Sequence, residues 1–131
     1  MAEPKTIRVR DVLKASRGML QKQLYVAIAK PTWGLGPVMA ALEDHLAFIV
    51  DAEKKGIVFA AGPLWADDEE HWAGEGMVVL RARSLAHAKR IVAADPMVKR
   101  GARTVTVRPW LINEGGFTLK VTFSDGRRVL R

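Results

Sequence analysis

The chain has 131 residues, 49% of them hydrophobic and 27% charged, enough for one domain with a core that needs no metal or disulfide staple. It contains no cysteine, which excludes disulfides, thiolate nucleophiles and cysteine-bound metals. The net charge of +7 raises a nucleic-acid reading, but the basic residues are dispersed over 5–22, 81–108 and 127–131 without a closely spaced aromatic platform. A solvated basic surface that attracts small anions is expected instead, and nucleic acid is not an expected partner.

The first segment, MAEPKTIRVRDVLK, lacks the apolar stretch and cleavage site of a secretory signal. No run of about 18 apolar residues follows that would span a membrane, so the cytoplasm is the expected location. Residues 10–21 put Val12, Leu13, Met19 and Leu20 on one side of a short helix that Gly18 weakens. QLYVAIAK, residues 23–30, is an apolar run closed by Pro31 and predicts a buried strand. PTWGLGP then predicts a loop. Residues 38–55 have helical spacing, with Val38, Leu42, His45, Leu46, Ile49 and Ala52 on one stripe and Gly56 as the stop.

A second strand is expected at 57–63, an acidic loop over LWADDEEHWAG, and a third strand in EGMVVLRARS. Ser84 is placed to cap a helix over LAHAKRIVAA, which Asp95-Pro96 ends because the residue before proline is pushed out of the α region. A fourth strand is expected at 103–112, with Val105, Val107, Pro109 and Leu111 on one side. NEGG reads as a hinge. FTLKVTFSDGRRVLR alternates and turns at Asp125-Gly126, predicting a terminal hairpin.

The order strand, helix, strand, strand, helix, strand is the split βαβ pattern of an α+β, ferredoxin-like domain with an antiparallel sheet. Three regions are expected: an N-terminal extension over 1–22, the ferredoxin-like domain over 23–112 and a β-hairpin extension over 113–131. Helices cover one face of such a sheet, so a homodimer packing sheet against sheet is expected to cover the other.

Of the three histidines, His71 lies in the acidic loop and His87 points away from Leu85 and Val92, so both are expected to face solvent. His45 sits on the core-facing stripe, where an imidazole without a partner loses roughly 1–3 kcal/mol. It is either a satisfied histidine at the edge of the core or half of a site. Both helices lie on one face of the sheet, so Asp95 is able to approach it. A carboxylate holding one ring nitrogen makes the other a competent proton acceptor. Trp33, Trp65, Trp72 and Trp110 either anchor loops or stack on a planar ligand. Gly34 and Gly36 lack the rest of a phosphate loop, and the carboxylates of ADDEEHW have no second ligand group to hold a metal.

DHLAFIVDAEKKGIVFAAGP and MVVLRARSLAHAKRIVAADPMVKRGARTVTVRPWL resemble the YCII-related family over roughly residues 23–112. The resemblance rests on the histidine of the first core helix, Ala61-Gly62-Pro63, and Ala94-Asp95-Pro96 followed by Gly101. It implies a dimeric α+β barrel whose active-site histidine and aspartate are His45 and Asp95. It departs at Leu42, where many relatives carry an arginine, so no anion-binding role transfers to that position. The resulting expectation is a small enzyme without cofactor or metal. His45 is its general acid or base and Asp95 orients it, for elimination or isomerisation of a small cyclic or aromatic molecule. The competing expectation is a non-catalytic dimeric module that binds a small ligand.

Overall fold

The hydrophobic period switches between two and about 3.6 along the chain, and the elements follow that switching. A computed structural model describes residues 2–131; Met1, the first residue of the expected N-terminal extension, lies outside the described residues. The elements are α1 (Val9–Ala15), β1 (Lys22–Pro31), α2 (Leu35–Lys54), β2 (Val58–Pro63), β3 (Gly76–Leu80), α3 (Leu85–Ala93), α4 (Pro96–Lys99), β4 (Arg103–Ile112), β5 (Leu119–Val121) and β6 (Arg128–Leu130). They divide into two compact units, Gln23–Trp110 and a second made of the residues up to Lys22 with Leu111–Arg131. Among the described residues no helix is long and apolar enough to cross a membrane.

The larger unit is ferredoxin-like, an α+β fold with a four-stranded antiparallel sheet in the order β2-β3-β1-β4. Register puts Ala27 opposite Val78 and Val78 opposite Ala61, and one residue along puts Val26 opposite Val79 and Val79 opposite Ala60. One face therefore carries Ala27, Ala61 and Val78, and α2 and α3 cover it. Their packing forms two clusters. Val38, Ala41, Met97 and Ala102 join the start of α2 to α4 and the residue before β4. Ala52, Val58 and Leu80, with Ile91 and Val92 against them, join the end of α2 to the sheet and α3.

Three local details differ from the sequence expectation. Leu35-Gly36-Pro37, expected as loop, is the first turn of α2. Proline is tolerated there because first-turn N–H groups have no carbonyl partner, and Gly34 supplies the positive φ of 73° that turns the chain out of β1. The N-terminal helix ends at Ala15, ahead of Gly18, whose φ of 96° is not helical. After α3, Asp95-Pro96 opens a further short helix, α4, where a simple turn was expected. Proline suits its first position, since φ is already set and the missing N–H has no partner to lose.

The smaller unit joins the two chain ends. The Gln21 amide donates to Asn113 Oδ1 at 3.2 Å, and Gln21 Nε2 donates to the Leu13 carbonyl at 2.7 Å. Its hairpin is short, pairing Leu119 with Leu130 and Val121 with Arg128, and Asp125 Oδ1 accepts the Arg127 amide within the turn.

Gly74, buried in the β2–β3 connection, has φ of 96°, and a Cβ there would lie 2.8 Å from Pro31 Cγ. Both the backbone and the space require glycine. Gly74→Ala is expected to destabilise the protein by about 1–3 kcal/mol in urea unfolding, whereas Gly62→Ala, with open space around it, changes the midpoint little.

Candidate functional site

His45 lies in the middle of α2, between the stretches that build the two core clusters. Its Nδ1 is 2.7 Å from Asp95 Oδ2, and the two side chains are only 12% and 11% exposed. A carboxylate accepts and does not donate, so Nδ1–H is the donor, and in the neutral imidazole Nε2 then carries the lone pair. Among the described residues Nε2 has no hydrogen-bond partner.

Asp95 is held by a second, independent requirement. It is the N-cap of α4, and its Oδ1 accepts the Met97 amide at 2.9 Å. Met97 is fully buried. The two carboxylate oxygens thus have separate tasks, one satisfying an orphan helix donor and one orienting the imidazole. Arg100 pairs with Asp44, the neighbour of His45, and adds an exposed contact between the same two segments.

Both residues line a cavity of about 460 Å³ between the helices and the sheet. Its walls are mainly apolar, with Ala27, Ile49, Val78 and Val105 among them, and Trp65 and Trp72 line it as well. Trp72 is anchored by its Nε1–H donating to the Glu75 carbonyl at 2.7 Å, while Trp65 is 62% exposed. Trp33 and Trp110 are not among the lining residues.

The cavity also contains Arg103, a residue that the sequence reading did not single out as part of the site. It opens β4 with only 7% of its surface exposed, and its Nε donates to the Gly74 carbonyl at 2.9 Å. Burial pulls its pKa below the usual guanidinium value, and the charge of Asp95 works in the opposite direction. The signal for it is strand phase: Arg103 is two residues before Val105, on the same face.

The other candidates lie apart from this cavity. His71 is exposed and its Nδ1 is 2.6 Å from Asp68 Oδ2; this bond and the Glu70 and His71 amides hold the Asp68 carboxyl below its ordinary range. His87 is half-buried rather than fully solvent-facing, because its Nδ1 accepts the Arg83 amide at 3.0 Å beside the Ser84 cap. Among the described residues no group of three or more His, Asp or Glu is arranged to hold a metal.

The model of the YCII-related domain family matches residues 23–111. Among solved structures, the chain is similar to 5-chloro-2-hydroxyhydroquinone dehydrochlorinase from Burkholderia phenoliruptrix AC1100, in complex with 2,5-dihydroxybenzoquinone. The TM-score is 0.51 at 19% identity, covering 66% of this chain and 92% of that one, a likeness of fold. A comparison with curated proteins returns no match.

Asp95→Asn retains an oxygen able to cap α4, whereas Asp95→Ala removes both tasks. The alanine variant is expected to lose about 0.5–2 kcal/mol more stability in chemical denaturation. Ring ¹⁵N shifts should report the Nδ1–H tautomer of His45 in the native chain and a mixture of tautomers in Asp95→Ala.

Proposed function

The chain belongs to the YCII-related family, and on that premise we propose that it is a small cytoplasmic enzyme acting on a cyclic or aromatic molecule. His45 is its general base and acid, and Asp95 holds it. The reaction is elimination or isomerisation, beginning with removal of a proton from carbon. The observation that carries the reading is the 2.7 Å contact to Asp95, which fixes one side of the imidazole and leaves Nε2 unbonded beside an apolar cavity.

The chemistry follows from that arrangement. Nε2 takes the substrate proton, and the imidazolium that forms is stabilised by the carboxylate already bonded to its other nitrogen. The same Nε2–H then returns the proton, to a leaving group in elimination or to another carbon in isomerisation. Apolar walls keep water from competing for the base. The dehydrochlorinase with a similar fold acts on a small hydroxylated ring, which supports a substrate of that size here.

We assign this activity to residues 23–112 and treat 1–22 and 113–131 as additions to the domain. We also propose that the domain works as a homodimer. Val26, Ile28 and Ala60 lie on the sheet face away from the helices, and Ile28 is 38% exposed, a surface suited to a second copy.

Three measurements test these proposals. Chloride release from 5-chloro-2-hydroxyhydroquinone, and deuterium uptake from solvent into small cyclic ketones, should be catalysed by the native chain. His45→Ala and Asp95→Asn should each lower the rate by about 100-fold or more. Undiminished turnover in His45→Ala rejects the assignment, and ligand binding without exchange marks a binding module. Sedimentation should give twice the chain mass, with Ile28→Asp shifting the protein toward the monomer.

A further inference from the structure

We propose that Arg103 is the ligand-charge receptor of this cavity, and that the molecule bound there is a planar oxyanion on an apolar, ring-sized body, an aryl carboxylate being the simplest form. The inference rests on the proposed function only for the location of the ligand. It names a substrate class that the His45–Asp95 pair by itself leaves open.

The argument begins with what the guanidinium does not bond. Arg103 is more than nine-tenths buried, and its single side-chain hydrogen bond among the described residues runs from Nε to the Gly74 carbonyl. Among the described residues neither terminal nitrogen has an acceptor, and no carboxylate is within ion-pair distance of it, Asp95 included. Thr32 Oγ1 is the one fully enclosed side-chain polar atom without a partner among the described residues, so the Arg103 nitrogens are not walled off and retain access to solvent. A buried charge is normally paired, because removing it from water without compensation is costly. Arg103 instead offers the four N–H groups of its terminal nitrogens from a position that lines the cavity.

The side chain is also held in place before any ligand arrives. Its Nε is fixed by the carbonyl of a glycine whose conformation is itself restricted, and its terminal nitrogens lie close to Gly76. A Cβ at Gly76 would sit 3.3 and 3.5 Å from them, so the absence of a side chain there makes room for the guanidinium. With Nε occupied, the free edge is the one formed by the two terminal nitrogens. That edge matches two coplanar oxygens through parallel charge-assisted bonds, a geometry that lysine does not reproduce.

The surroundings limit the rest of the ligand. Ala27, Ile49, Val78 and Val105 provide no polar group to a second charged end, and Trp72 adds an aromatic side chain to the lining. Asp95 acts on the guanidinium through its charge but makes no hydrogen bond or ion pair with it, its recorded bonds going to His45 and the Met97 amide. A ligand with one oxyanion and an apolar ring satisfies the guanidinium and buries its body against these walls.

The test is charge selectivity in the full chain, using 2-naphthoate and its neutral isostere 2-naphthamide. Calorimetry should give naphthoate an affinity about tenfold or more above the amide. The backbone amide signals of Gly74, Gly76 and Arg103 should shift when it binds. Arg103→Met should reduce naphthoate to the affinity of the amide without altering amide binding, and Arg103→Lys should recover only part of the preference. Equal affinities in the native chain, no binding of either compound, or a preference that survives Arg103→Met overturns the proposal. If Arg103→Met does not fold, the native selectivity and the shifts at these three amides decide alone. His45→Ala should lose turnover and keep the charge preference. A preference without turnover therefore retains this inference and rejects the catalytic reading, and the converse result does the opposite.

Discussion

The hydrogen bond between His45 Nδ1 and Asp95 Oδ2 joins the middle of the long helix to the start of the short one, and its geometry depends on what the other carboxylate oxygen does. Oδ1 holds the Met97 amide, and Met97 is buried with Val38, Ala41 and Ala102. The orientation of the imidazole is therefore set by a helix cap that is itself seated in the core. Side chains on flexible loops need separate support to keep a fixed geometry. Here the support is a bond that the fold requires in any case, because the first N–H groups of α4 need an acceptor.

Around this bond the packing is uneven in a way that creates the site. Val38 and Ala41 pack at one end of α2 and Ala52 at the other, each in its own cluster. Between them Ile49 and His45 face a cavity. The two clusters brace the helix on either side and hold the cavity walls apart.

Much of this order was legible in the sequence because periodicity is a strong signal over long segments. β1, α2, α3 and β4 follow from their apolar spacing, and Ser84 caps α3 as its position suggests. His45 was readable as an imidazole out of place on an apolar stripe, and Asp95 as a carboxylate at a helix end. Short or punctuated features were not. The first turn of α2 was hidden by the proline and glycines around it, and four residues are too few for α4 to show a period. Arg103 was in phase with Val105, but a charge at a strand start reads as solvated, and only the fold shows that it is buried. The bond from Gln21 to Asn113 links positions 92 apart, which no local pattern announces.

Gly74 has one further consequence. It has no functional group, yet its carbonyl receives the Nε of Arg103 and its left-handed backbone turns that carbonyl toward the guanidinium. The position of the cation is thus encoded partly by a residue whose contribution is the absence of a side chain. A survey of reactive groups alone would pass over it, and transplanting His45, Asp95 and Arg103 into another scaffold without this backbone bend would carry over the side chains but lose the alignment of the guanidinium.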